Sequence, residues 1–285
     1  MTLTDREAPG RSAVLSEEAF PTPRPLGESS RRALLLHTWI QTRRLLIRLS
    51  RDPMTFVFGI VLPICFLMVT NVVLGDSIKL VTGASALYGS VPLVTLIGAM
   101  NGASVGVLGV VTERTNGLLA RLWVVPVHRA SGLLGRIISD AIRITLNSFV
   151  LLCVGVILGL ELKQGWLAGL AWLCIPAMFG MAFATLALTV GVYWPNPILV
   201  EAITLVSALL LFFCTGFVPL DQYPKWIQPV VEHQPLSYAT EVMRGLTLGG
   251  PVLDPLIGTV LWSAGIVLVC AVPMVLGYRR ASMRG

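Results

Sequence analysis

The chain has 285 residues, of which 55% are apolar and only 13% charged, with a net charge of +6 and a mean hydropathy of +0.79. Soluble domains carry about 25% charged residues, so these figures exclude an ordinary soluble domain, a disordered chain, a fibrous repeat and a disulfide scaffold. They predict an all-α polytopic membrane protein.

The bases are mostly arginine and flank apolar runs, which points to a membrane surface rather than to nucleic acid. Cys65, Cys153, Cys174, Cys214 and Cys270 all lie inside apolar runs without a CxxC pair. They read as small apolar fillers.

Residues 1–30 are polar and rich in proline, as in Phe20-Pro21-Thr22-Pro23-Arg24-Pro25, and hold no apolar stretch of signal-peptide length. They are expected to form a disordered cytoplasmic tail. Residues 31–52 interleave Leu34, Leu35, Leu36, Trp39, Ile40, Leu45 and Leu46 with Arg43, Arg44, Arg48 and Arg51. That pattern suits a basic helix lying along the inner membrane surface, or a plain juxtamembrane anchor. Asp52-Pro53 ends it, and residues 53–285 are expected to form the transmembrane domain.

Crossing a bilayer takes about 20 apolar residues. Six stretches reach that length: Met54 to Gly75, Tyr88 to Val111, Leu133 to Leu160, Ala168 to Val192, Ile198 to Phe217 and Leu256 to Gly277. With the N-terminus inside, nine bases precede Met54, five lie between Arg114 and Arg143, and three follow Gly277. Lys79, Lys163, Lys225 and Arg244 fall outside. This imbalance predicts that both termini are cytoplasmic.

Two non-spanning segments stand out. The inner loop 112–132 contains Glu113, Arg114, Gly117, Arg121, Pro126 and Arg129. Gly117 permits a sharp turn, Pro126 ends the element, and the arginines face water or a partner. The loop is too short for a domain and reads as a docking surface. The outer segment 218–250 is divided by Pro219, Pro224, Pro229 and Pro235. It reads as two half-helices, Lys225 to Val231 and Ser237 to Leu246, dipping into the outer leaflet. Ser237 is a candidate N-cap, and Glu241 and Arg244 are spaced to pair.

No lysine follows a glycine, so a GxxxxGK[ST] phosphate loop is absent. His37, His128 and His233 are isolated, and no HExxH motif occurs. Polar groups inside the spans are few: Asn71, Asn101, Asn147 and Glu201, with Asp140 and Arg143 near the inner start of the third span. This weakens an ion-coupled mechanism. Gly98, Gly102 and Gly106 form a GxxxGxxxG stripe suited to close helix packing, to a subunit contact or to a groove for a lipid tail. Phe212, Phe213 and Phe217 face lipid or form an apolar gate.

Glu113-Arg114-Thr115-Asn116-Gly117-Leu118-Leu119-Ala120-Arg121-Leu122, followed by Pro126-Val127-His128-Arg129 and Gly135-Arg136, resembles the ERExGTLERL..TPV.R.....GR loop of ABC-2 type exporter permeases. Phe212-Phe213-Cys214-Thr215-Gly216 through Pro219-Leu220 to Pro224-Lys225-Trp226 resembles that family's FFSGxxxPLxxxPxW run. Gln234-Pro235-Leu236-Ser237-Tyr238 with Arg244 is similar to its NPLxY...R ending. Thr115, Ala120 and Val125 depart from the pattern. In character the chain is similar to daunorubicin/doxorubicin-resistance permeases of actinobacteria, including those linked to export of complex lipids such as phthiocerol dimycocerosates.

The resemblance implies six transmembrane helices of type V exporter-like architecture in the cell membrane. The chain itself would be neither an enzyme nor a cofactor-binding protein, with ATP and Mg held by a separate ATP-binding subunit. A second permease, similar or identical, would complete a dimer among membrane lipids. The ATPase-coupling residues would be Glu113, Arg114, Gly117, Arg121, Pro126 and Arg129 with Arg43, Arg44 and Arg48. Glu113 would pair with an arginine of the surface helix or act as a solvated cap. The cargo path would involve Asn101, Gly102, Gly106, Phe212, Phe213 and Phe217. The expected cargo is a hydrophobic drug or complex lipid. Alternatives are a polysaccharide or lipid-linked glycan exporter, an ion-coupled drug antiporter and a membrane-bound enzyme.

Overall fold

The computed structural model describes residues 31–53, 57–83, 85–115, 131–194, 197–216 and 218–283, and these are helical almost throughout. In chain order the helices are α1 (Arg31–Ser50), α2 (Leu62–Thr82), α3 (Leu87–Thr115), α4 (Ser131–Ile157), α5 (Trp166–Tyr193), α6 (Pro197–Phe212), α7 (Gln228–His233), α8 (Pro235–Leu248) and α9 (Leu253–Met283). A π-helical turn, Val57–Val61, leads into α2, and a 3₁₀ turn, Leu220–Gln222, precedes α7. The expected tail, 1–30, and most of the inner loop, 116–130, lie outside the described residues.

Among the described residues four helical stretches are long and apolar enough to cross a membrane: Leu87–Glu113, Ser131–Ile157, Trp166–Tyr193 and Leu253–Gly277. The other two expected spans are shorter as apolar helices, Gly59–Val73 and Glu201–Phe212. The first is irregular at its start. Pro63 has no N–H to give the carbonyl four residues back, and the π turn takes up that mismatch. Asp76 and Lys79 then end its apolar character within α2.

The fifth expected span, Ile198 to Phe217, is too long at its C-terminal end. α6 stops at Phe212 after 16 residues, about 24 Å. Beyond it the chain turns, and its carbonyls take donors from elsewhere. Tyr223 Oη donates to the carbonyls of Phe212 and Cys214, each at 3.1 Å. Gln234 Nε2 donates to the Phe213 carbonyl.

α3 is the centre of the bundle. Of its apolar stretch 61% is buried, against 22% for that of α9. It packs on α5, α4, α6, α8 and α2. Leu93, Leu96, Met100 and Val107 of α3 meet Trp172 and Phe179 of α5 and Leu236 and Met243 of α8 in one apolar core. Glycine sets the approach of α3 to α5: a Cβ at Gly191 would fall 2.4 Å from Val107 Cγ1, and one at Gly180 would fall 2.8 Å from Ala99 Cβ. Buried hydroxyls turn back on their own helices, as Thr95 to Val91 O at 2.7 Å and Ser148 to Ile144 O at 2.7 Å. Thr189 also reaches Cys270 O at 3.3 Å, a polar tie between α5 and α9.

Substituting Gly191→Leu is expected to destabilise the bundle by about 1–3 kcal/mol through overpacking. Gly98→Ala is expected to be tolerated, because its Cβ meets no atom within 4 Å. Thermal unfolding of both variants in one detergent checks the contrast.

Candidate functional site

The site is built on a register between α3 and α4. Arg136, Asp140 and Arg143 are spaced to share one face of α4. Gly102, Gly106 and Gly109 have the same spacing on α3. The two sets run antiparallel: a Cβ at Gly102 would fall 2.2 Å from Arg143 Nη1, one at Gly106 3.4 Å from Asp140 Oδ2, and one at Gly109 3.2 Å from Arg136 Nη1. The glycines thus form a trough in which charged side chains of α4 lie. Arg136 Nη1 donates to the Gly106 carbonyl at 2.9 Å, and Arg143 Nη2 donates to Asp140 Oδ1 at 2.9 Å. Both arginines are over nine-tenths buried.

Glu113, in the last turn of α3, closes one end of this trough. Its residue exposure is 5%. One oxygen accepts from Arg136 Nη2. The other accepts from Arg44 Nη2 at 3.3 Å and lies 3.7 Å from Arg48 Nη1. A carboxylate at a helix C-terminus opposes the helix dipole, and the cations offset both that and the cost of burial. The solvated-cap reading of Glu113 is therefore corrected: the carboxylate is buried and multiply paired.

α1 is held against α4 by more than charge. A Cβ at Gly135 would fall 2.7 Å from Gln41 Cβ and 3.2 Å from Thr42 N. Thr42 Oγ1 is 2.9 Å from Thr38 O and 3.2 Å from Gly135 O. Ala33, Thr38, Thr42 and Leu45 are buried, while Leu35, Leu36, Trp39, Ile40 and Ile47 are exposed. The helix therefore has a small, tight face toward α4 and an apolar face left uncovered.

A second polar constellation lies at the far end of α3. Gly89 backs onto Gly216, where a Cβ would fall 2.1 Å from the Gly216 carbonyl oxygen. Arg244 Nη2 donates to Thr215 O at 2.7 Å, and Nη1 pairs with Glu241 Oε1 at 3.1 Å. Ser237 does not cap α8. Gln234 occupies that position without a side-chain cap bond, because α8 starts at Pro235. The Ser237 hydroxyl instead accepts from Thr215 N at 3.3 Å and Gln234 Nε2 at 3.0 Å. Trp262 Nε1 of α9 donates to His233 O at 2.9 Å.

The structure thus brings together Glu113, Arg44 and Arg48. Arg43 lies on the exposed side of α1, and Arg114 follows Glu113 in the last turn of α3. Gly117, Arg121, Pro126, Arg129 and Phe217 lie outside the described residues. Of the cargo-path set, Gly102 and Gly106 face α4, Asn101 is half-buried, and Phe212 and Phe213 are exposed at the turn after α6. Phe212 and Phe213 belong to the end where Gly89 meets Gly216, 13 residues along α3 from Gly102. Among the described residues of this one chain, Gly102 and Gly106 thus lie apart from Phe212 and Phe213. Sequence reasoning missed Arg136 as a partner of Glu113, and Gly109 as a member of the stripe in place of Gly98. The signal was present: Arg136, Asp140 and Arg143 repeat at helical spacing in a span with few other charges.

Comparison with known proteins fits this architecture. The family profile for ABC-2 type transporters matches residues 37–248. The chain is 48% identical to "Probable doxorubicin resistance ABC transporter permease protein DrrC" of Mycobacterium tuberculosis over 265 residues, covering 93% of this chain and 96% of that protein. It is 22% identical to a daunorubicin resistance ABC transporter permease protein of Streptomyces coeruleorubidus, covering 92% and 88%. Nodulation protein J of Rhizobium leguminosarum bv. trifolii is 34% identical over 31% of the chain.

These matches define a multi-pass membrane permease of an ATP-driven transporter. The chain belongs to the ABC-2 type transporter family. As a permease subunit it works with a separate ATP-binding subunit, where ATP is hydrolysed, and it binds no cofactor of its own. This membership removes the ion-coupled antiporter and membrane-enzyme readings.

Glu113→Gln is expected to cost about 3–5 kcal/mol, because it leaves Arg136 buried without its anion. Arg44→Gln, which removes a partner 41% exposed, is expected to cost at most about 1 kcal/mol. Unfolding of the purified variants in mild detergent measures the difference.

Proposed function

We propose that the chain is the membrane subunit of an exporter that carries a hydrophobic drug or complex lipid, of the phthiocerol dimycocerosate type, outward across the cytoplasmic membrane. The observation that carries this reading is the near full-length identity to the mycobacterial doxorubicin resistance permease. The scarcity of polar side chains in the apolar helices supports an apolar cargo.

In this reading α2 to α6 and α9 make six crossings, with α1 on the inner surface and α7–α8 set into the outer leaflet. A second permease, similar or identical, faces the first. The segment 112–132 docks on the ATP-binding subunit. Glu113 stands at the start of that segment and is tied to α1 and α4. A push on the loop then moves the inner ends of α1, α3 and α4 as one body. The outer path opens between the second span, the fifth span and the half-helices after Pro219.

Three tests follow this reading. The purified chain, free of other subunits, is expected neither to bind nor to hydrolyse ATP, and turnover by it alone sinks the proposal. A membrane-impermeant thiol reagent is expected to label a cysteine placed at Gln222 in intact cells and to miss one at Asn116; the reverse pattern overturns the orientation. Arg121→Glu is expected to insert normally yet lose the ATP-binding partner and export together. A desolvated interface charge is worth about 2–5 kcal/mol, a loss of tens-fold or more in affinity. Normal co-purification and export by this variant remove Arg121 from the docking contact.

A further inference from the structure

Between α1, α3 and α4 lies a cavity of about 160 Å³. Its polar wall is Arg48, Asp52, Glu113, Arg136, Asp140 and Arg143. Three guanidinium groups, those of Arg44, Arg48 and Arg136, converge on the single carboxylate of Glu113. Asp140 is matched by Arg143. The lining itself holds three arginines and three carboxylates, and the positive excess comes from around it, from Arg44, which also reaches Glu113, and from the exposed Arg43 and Arg51 on α1. The Nε atoms of Arg136 and Arg143 are buried and have no hydrogen-bond partner. Buried charged donors without acceptors are costly, so this corner of the protein has more cationic donors than it can satisfy.

The cavity is also continuous with an apolar surface. Val105 and Leu108 of α3 line it and are 37% and 47% exposed, and Ile138 and Ile142 of α4 are exposed to a similar degree. Uncovered aliphatic side chains on membrane helices lie against acyl chains. A ligand that meets both features has an anionic, acceptor-rich head and hydrocarbon tails.

We infer that this cavity seats the phosphodiester headgroup of an anionic membrane lipid, with its tails along Val105 and Leu108. Arg48 is the entry residue: its side chain is 57% exposed and its pairing with Glu113, at 3.7 Å, is the longest of the three, so its remaining donors can meet a phosphate at the mouth. A lipid held there fills the gap between α1 and the α3–α4 trough, and joins the surface helix to the bundle through the bilayer itself. The inference rests on the proposed seat of α1 on the inner membrane surface, which places the site in the cytoplasmic leaflet.

The test is native mass spectrometry of the purified full chain, titrated with phosphatidylglycerol and, separately, with phosphatidylcholine. The first phosphatidylglycerol is expected to bind about tenfold more tightly than phosphatidylcholine, the size of one charge-assisted contact. Arg48→Gln is expected to lower that preference at least about fivefold, and Arg43→Gln by less than about twofold. Leu49→Trp, which adds bulk to the cavity wall without touching a charge, is expected to match Arg48→Gln. Equal losses in Arg43→Gln and Arg48→Gln mean diffuse attraction to α1 and overturn the site. Absence of any headgroup preference overturns it too. Displacement of the bound lipid by millimolar inorganic phosphate assigns the cavity to a soluble anion and overturns the lipid. Failure of the orientation itself is read separately, from thiol labelling at Gln222.

Discussion

One carboxylate ties three helices of this protein together. Glu113 is buried at the last turn of α3, and three arginines from two other helices reach it. Removing a carboxylate from water is expensive, and a buried pair is often no more stabilising than a well-packed apolar contact. What the arrangement supplies is a fixed geometry. Arg136 sets the register of α4 on α3, while Arg44 and Arg48 set the position of α1 over both. Gly135, where α1 comes within backbone contact of α4, gives the same register a steric basis.

The glycine trough follows from that constraint. Two arginine side chains buried between helices need room and acceptors. Gly102, Gly106 and Gly109 provide the room, and the Gly106 carbonyl with Glu113 and Asp140 provides acceptors. The stripe therefore serves charge packing within the chain, a use distinct from the helix–helix contact that small-residue stripes commonly mediate in membranes. At the other end of α3 the problem is inverted. The turn after α6 leaves carbonyls without helical partners, and the donors come from Gln234, Tyr223 and Arg244. Non-helical backbone is tolerated at membrane depth only when it is satisfied in this way.

α3 thus runs between two polar assemblies through an apolar core that contains Trp172, Leu96 and Met100. For a permease driven from outside, this is a mechanical asset. One assembly lies at the Glu113 end of α3, and the other holds the turn after α6 and the short helices α7 and α8. A rigid, centrally packed helix joins them. Its glycine-set contacts with α5 at Gly180 and Gly191 leave little slack for motion to dissipate in side-chain rearrangement.

Composition alone determined the class: a chain that is 55% apolar and 13% charged has to place its helices in a membrane. The break at Asp52-Pro53, the four long apolar helices, the two short helices after Pro224 and the Glu241–Arg244 pair were legible for local reasons of hydropathy, proline geometry and helical spacing. A role for Glu113 beside the α1 arginines was legible only through resemblance to a family. Tertiary structure decided the rest. Nothing local distinguishes Gly98 from Gly109, or Arg136 from any other base near an inner helix end, since their meaning comes from which helix lies opposite and in what register. The end of α6 at Phe212 was equally hidden. Hydropathy continues to Phe217, and the helix stops where it does because donors more than ten residues away take over its carbonyls. Periodicity reports which face of a helix is apolar, but the partner that covers that face is chosen by packing across the whole chain.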